Sequence, residues 1–412
     1  MLTTMLIEAG PAAPEELKIN VPGMVGSTGG GPYDWNFTTT PQPELSSRQV
    51  NLTRGKVLGG SSALNYLVWN RASAPEYDVW ETLGNHGWNW DSMVSGMAKS
   101  ENFTAINSQD YHGSVGRSTR GPIHNVVGRY RTEQVLAWVP TLESLGLSHN
   151  LQSLGGNPIG AMLQPSSINP DNNTRSYSAS SYGPQARSNL AILLSTRVAK
   201  INLETTYKGV KSGRSSEDSV VATGVTLQDG SVITARREVI LSAGSLQSPG
   251  ILELSGIGQK DVLAAAGIKQ IVDLYGVGEN LQDHVGVGVT YRLKPGYNSL
   301  DILKYNATYA AEQLALWKKG EFSRYDTTIS SVGFLNWRQL LGNDTALVDL
   351  AKKGFGNSTN AIDQAKLSFL SDYNVPQVEV IMSENTVGPL YPPLDDPLYG
   401  SDFVTILGIA SR

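Results

Sequence analysis

"MLTTMLIEAG", residues 1–10, places an apolar run, Met5, Leu6 and Ile7, directly before Glu8-Ala9-Gly10. The run predicts a buried parallel strand that ends on an acid, with Gly10 where the backbone turns. In dinucleotide-binding βαβ units an acid at the end of the second strand accepts hydrogen bonds from ribose hydroxyls. It follows a glycine-rich phosphate loop by about 20 residues. Glu8 stands too close to residue 1 for that loop to precede it in this sequence. Either Glu8 ends an ordinary surface strand, or the sequence is expected to lack its own beginning, with Met1 or Met5 standing at an internal strand.

Outward from that stretch, 412 residues suggest about two or three domains. Hydrophobic residues make up 40% and charged ones 17%, which supplies sizeable cores and argues against disorder. A net charge of −5 argues against a nucleic-acid partner, which calls for a basic face. No apolar run is long enough to span a membrane, and none is expected as a partner. With no cysteine, disulfides, thiolate metal sites and cysteine nucleophiles are excluded, and no metal site is expected. Asn-x-Ser/Thr occurs at Asn36, Asn51, Asn102, Asn172, Asn306, Asn343 and Asn357, which favours a secreted glycoprotein. No secretory signal peptide is legible, as expected of a sequence without its start.

Residues 11–53 are rich in Pro, Gly and Thr and predict a surface excursion; 105–187, polar and irregular, predict lid or surface segments. "EYDVWETLG" has helical spacing, and Asn89 or Asp91 is placed to cap a helix in "WNWDSMVSGMAKSE". Strands are predicted over Leu190–Leu194, Val198–Leu203 and Val220–Leu227, with a hairpin turn at "QDGS". "REVILSAGSLQSPGILELSGIG" predicts a continuous buried strand, a glycine turn, and a helix capped by Ser248 with Pro249 first. An amphipathic helix is predicted near Ile302–Lys318, and "DFVTILGIASR" at the end has strand texture.

Two motifs point to ligand chemistry. In "RGKVLGGSSALNYL", residues 54–67, Gly59, Gly60, Ser61 and Ser62 let backbone N–H groups and two hydroxyls approach a pyrophosphate or a flavin edge. Ser242-Ala243-Gly244 closes an apolar strand, the end at which open α/β sheets bind ligands. A plain glycine-rich turn and ordinary strand-to-helix punctuation remain open readings of these two strings.

"RGKVLGGSSALNYLVWNRASAPEYDVWETLGNHGWNW", "SAGSLQSPGILELSGIG" and "GVGENLQDH" resemble the signature segments of the glucose–methanol–choline (GMC) oxidoreductases. "YDWNFTTTPQ", with Tyr66 after Asn65, is similar to the aryl-alcohol oxidase branch. The resemblance implies an α/β (α+β overall) fold. Residues 1–290 would form a Rossmann-like FAD-binding domain, and 291–412 part of a substrate-binding domain built on an antiparallel sheet, both incomplete at the termini. It implies hydride transfer from a primary alcohol to FAD, an aryl alcohol by the branch resemblance, with oxygen or a quinone as acceptor. By resemblance Glu8 holds the adenosine ribose and Val198 meets the adenine. Ala243 and Gly244 border the ribose and phosphates, and Val57, Asn65, Tyr66, Leu67 and Val68 line the flavin. Tyr66 is placed over the substrate channel, where its ring can stack on an aryl alcohol. Some members tie a histidine covalently to the flavin; here that position is Leu64, so non-covalent FAD is expected.

The family's G-x-G-x-x-G loop and its C-terminal catalytic histidine have no counterpart here, so no catalytic residue is assigned. The histidines are His86, His112, His124, His149 and His284, none in a matching context; His284 beside Asp283 suits a supporting role better than acid–base work. These 412 residues are therefore expected to bind FAD poorly and to turn over no alcohol. A lyase of the same fold, a non-catalytic remnant and a nicotinamide enzyme are the alternatives.

Overall fold

The computed structural model describes residues 3–106, 113–206, 219–343, 345–356, 358–387 and 391–410; Asn357 and His112 lie outside them. Among the described residues, no helix is long and apolar enough to cross a membrane, and no cluster of acids and histidines suits a metal ion. The chain forms two compact units. The first comprises Met1–Ala12, Lys56–Leu58 and Ala186–Asp283, and the second Ala13–Gly55, Gly59–Gln185 and His284–Arg412. Membership alternates along the chain, so the division expected at residue 290 does not follow the compact units.

In the first unit the strand Thr4–Ile7 pairs in parallel with Leu190–Leu193, Leu6 opposite Ile192. Val198–Thr206, Ser219–Leu227 and Val232–Thr234 form an antiparallel sheet. The hairpin falls on "QDGS", where Gly230 takes φ +88° and Asp229 accepts from the Ser231 N–H at 2.9 Å. Ile201, Val225 and Leu227 make the core, against which Ile7, Leu193, Val198 and Ile251 pack.

Three expectations for this unit are corrected. The strand before Glu8 is parallel but not buried: Met5 is 48% and Leu6 43% exposed, because among the described residues its ladder partner is Leu190–Leu193 alone. Residues 237–242 form no strand, since no neighbour offers a ladder, and Ile240 is 73% exposed. The helix after them is Gln247–Leu254, so Ser248 lies inside its first turn instead of capping it. The Ser248 hydroxyl instead accepts from the Ala243 N–H at 3.0 Å. Pro249 still falls where a missing N–H costs no helical bond.

The second unit holds a five-stranded antiparallel sheet in the order Val285–Arg292, Phe403–Ala410, Val378–Ser383, Ser331–Leu335, Gly160–Leu163. The helix Glu133–Ser144 crosses one face, burying Val135 and Trp138 against Met382. Trp138 donates its indole N–H to the Val332 carbonyl at 3.0 Å, and Gly333 makes room, since a Cβ there would meet Leu142 at 3.0 Å. Residues 105–187 thus supply this unit with a core helix and a sheet strand as well as surface. The apolar 133–144 repeat is short and broken by Pro140, which hid it among polar neighbours. Asn89 caps Trp90–Ser100, taking the Ser92 N–H. The helix expected over 302–318 is two, Ile302–Tyr305 and Ala307–Lys318, because Asn306 leaves helical geometry and caps the second through the Tyr309 N–H.

Candidate functional site

Glu8 closes the carboxyl end of its strand, where the backbone crosses a neighbouring segment of the first unit. Its N–H bonds to the Leu193 carbonyl, while the Thr196 N–H donates back to the Glu8 carbonyl at 3.0 Å. The Glu8 side chain accepts the Gly10 N–H at 2.8 Å. Burial raises its pKa, and the Gly10 and Ala9 amides pull it back. Gly10 is required here: a Cβ would stand 2.0 Å from the Lys56 carbonyl oxygen. That close crossing places Lys56 and Val57 beside the acid's turn, and Val57 is fully buried.

A cavity of about 450 Å³ opens next to this turn, lined by Ala9, Lys56, Thr196, Arg197, Gln228 and Asp229 among others. Its size is that of a small-molecule pocket. Ser195, also lining it, adopts φ +50° while donating its N–H to the Gly10 carbonyl, so part of the wall is strained backbone. Val198 pairs with Leu227, which shares the lining, and so stands at the pocket's edge. Lys56 and Arg197 give this wall two cationic side chains and Asp229 one acid, a polar lining suited to a ligand with an anionic portion and hydroxyl groups. Ala243 and Gly244 are exposed, with Gly244 at φ +93°, and do not line this cavity.

The second unit carries the rest of the expected residues on a segment whose shape is heavily constrained. Gly59 at φ +105° and Gly60 at φ +54° lead into a short turn of 3₁₀ helix, Gly60–Ala63. A Cβ on Gly59 would meet the Tyr177 ring at 2.7 Å, and the Ser61 hydroxyl accepts the Gly55 N–H at 3.0 Å. The Ser62 hydroxyl donates to the Gly59 carbonyl at 2.6 Å and meets the Ser178 hydroxyl at 2.9 Å. Further along, Asn65 accepts the Leu67 N–H at 3.1 Å, which holds Leu67 at φ +68°, a costly geometry for leucine.

Beneath that turn lies Arg175, 2% exposed and without a carboxylate partner among its hydrogen bonds. It donates to the Ile19 carbonyl at 2.8 Å, the Ser62 carbonyl at 3.3 Å, and Asn65 Oδ1 and O at 2.7 and 2.8 Å. Burial drives its pKa down to about 10. Arg175, Tyr177 and Ser178 were not legible as site residues: "RSYS" has the composition of an ordinary polar loop, and its partners lie more than 100 residues away.

This segment sorts the expected side chains. Tyr66 is 54% exposed, its hydroxyl poised over Gly26, where a Cβ would meet it at 3.0 Å. Asn65 and Ser61 are exposed as well. Leu67 faces inward to pack with Val126 and Ile168, so only its backbone faces the turn. Val68 bridges to Ser166. Leu64 is 5% exposed. His284 is exposed just before the Val285–Arg292 strand, with Nδ1 3.3 Å from the Ala410 carbonyl.

A family model described as GMC oxidoreductase matches residues 8–286. The GMC oxidoreductase family protein Mala s 12 of Malassezia sympodialis is 36% identical over 306 residues, 71% of this chain and 48% of that protein. A dehydrogenase of Monascus purpureus is 34% identical over 353 residues, 81% of this chain and 54% of its own length. The chain spans about half the length of the curated relatives it matches. In three dimensions it is similar to a solved FAD-dependent oxidoreductase from Chaetomium thermophilum, with TM-score 0.83 and 28% identity over 99% of this chain and 69% of that one.

Proposed function

The chain belongs to the GMC oxidoreductase family, and from that premise we propose that the protein is an FAD-dependent oxidoreductase acting on the CH–OH group of alcohols. The observation that carries this is the strand-end Glu8 next to Ala9, which lines a cavity of about 450 Å³ with Lys56, Arg197 and Asp229. Glu8 accepts from the adenosine ribose, Val198 borders the adenine, and Ala243 and Gly244 flank the phosphates. By family resemblance Val57, Gly59, Gly60, Ser61, Asn65, Tyr66, Leu67 and Val68 serve the flavin.

FAD, when bound, supplies the hydride acceptor; the chain's own residues bind and orient. The constrained Gly59–Val68 turn presents backbone groups without rearrangement, which lowers the ordering cost of binding. Exposed Tyr66 offers a ring on which an aryl alcohol stacks, supporting a primary, aryl-type substrate. Apolar Leu64 has no atom that forms a covalent flavin bond, so the cofactor is non-covalent. Oxygen or a quinone takes the electrons, and the sequons favour secretion.

Hydride loss from an alcohol needs a base for the hydroxyl proton. No histidine among the described residues stands in such a setting, so the 412 residues assayed alone are expected to turn over no alcohol. The test is anaerobic: with a primary aryl alcohol, flavin bound to the 412-residue chain is expected to stay oxidised, and bleaching would show that these residues supply the base themselves.

A further inference from the structure

The five-stranded sheet of the second unit has Val285–Arg292 at one edge, and every residue of that strand is exposed. Among the described residues its ladder partner is Phe403–Ala410 alone. The Leu293 N–H donates to the Asp402 carbonyl at 2.8 Å, which fixes the phase of the ladder. Facing residues in an antiparallel pair alternate between exchanging both hydrogen bonds and turning away, so Val285, Val287, Val289 and Tyr291 point their backbone groups inward. Gly286, Gly288, Thr290 and Arg292 turn theirs to the open edge. Such edges are normally blunted by lysine, proline or a bulge. Here Val285–Tyr291 holds no charge and no proline, and its ladder runs without a register shift. Val287, 68% exposed, and Val289 lie level with Gly408 and Ile406, and Ile406 packs in the layer under the Glu133–Ser144 helix. An apolar row therefore continues from that core layer out to the open edge.

We propose that this edge pairs with the same edge of a second copy of the chain, antiparallel about a two-fold axis through Gly288. The open backbone groups belong to the even-numbered residues, so the axis passes through one of them. Centred on Gly288, the ladder sets Gly286 against Thr290, Val287 against Val289 and Val285 against Tyr291. It also puts Arg292 opposite His284 and beside Asp283, so that a cation meets an acid at both ends. Centred on Gly286 or Thr290, it would set Arg292 against Asn280 or Gly288 and lose that match. Gly288 has no side chain to crowd the axis. Pairing one patch with its own copy closes on itself and yields a dimer, not a fibre.

The chain has no cysteine, so single cysteines report the register cleanly. Gly288→Cys is expected to form an interchain disulfide under mild oxidation, because residues facing in a hydrogen-bonded pair lie about 5.5 Å apart at Cα. Its new Cβ meets the ends of the Leu407 and Thr405 side chains at 3.1 and 3.4 Å. Tyr291→Cys, set against Val285 of the other copy, is expected to stay uncrosslinked. In sedimentation equilibrium the 44.3 kDa chain is expected to pass from monomer to dimer across the micromolar range. Gly286→Pro removes an outward N–H, as an edge tolerates, and is expected to weaken the dimer roughly tenfold or more. Should Gly288→Cys not fold by circular dichroism, the sedimentation comparison decides. A monomer throughout, species larger than a dimer, a dimer indifferent to Gly286→Pro, or equal crosslinking through Tyr291→Cys overturns the proposal.

Discussion

The Gly59–Val68 segment and the Ala243–Gly244 turn carry the same expected role, contact with one cofactor, and are built in opposite ways. Around Gly59–Val68 the carbonyls are claimed by Arg175, Ser62 and Ser178, and two positive-φ glycines and a left-handed Leu67 are held in place. Around the Ala243–Gly244 turn the ties both go to Ser248, whose hydroxyl takes the Ala243 N–H and whose N–H donates to the Gly244 carbonyl at 2.9 Å, and the residues before it run exposed without a ladder. One segment is held by many partners in its own unit; the other by a single serine. Strained backbone persists only where surrounding structure over-determines it, so the first should resist substitution little by little and fail abruptly.

The most damaging change expected is Arg175→Met, which strands the buried Ile19 carbonyl and the part-buried Ser62 and Asn65 carbonyls. A loss of roughly 3 kcal/mol follows from unsatisfied buried acceptors, read by urea denaturation, and a loss near zero would mean the turn stands without its arginine. Next is pH. Glu384 has its carboxyl raised by burial from an ordinary 4.5 to about 7, so the fold prefers its neutral form. Its contribution is full below pH 4.5 and is lost as pH rises through about 7, a swing of about 3 kcal/mol at most. Glu384→Gln should flatten that slope; an unchanged slope assigns it elsewhere.

Smaller effects separate the two glycines. Gly59→Ala drives a Cβ into the Tyr177 ring at positive φ, and Gly60→Ala meets open space. The expected costs are roughly 2 and roughly 1 kcal/mol, and equal costs would show that strain alone, without packing, sets the price. Least of all, Ile240→Ser in the exposed run should shift stability by no more than about 0.5 kcal/mol. A large loss there would reveal burial of Ile240.

What the sequence made legible was local. The hairpin at "QDGS", the Asn89 cap and the strands after residue 190 rest on neighbours a few residues apart. Glu8 and the Gly59–Ser61 turn were legible for the same reason, since a short string encodes each. The 237–242 run misled because a β-branched apolar string states strand propensity and not whether a ladder partner exists. Arg175 and the Glu384–Arg324 pair were invisible because their meaning lies in contacts across tens to hundreds of residues.

The most direct test of the central claim is a fluorescence titration of the 412-residue chain with FAD, followed by denaturation and filtration. The account predicts weak but saturable binding, weakened further by Glu8→Gln, with all flavin passing the filter. No saturable binding, indifference to Glu8→Gln, or flavin retained on the denatured chain would contradict it.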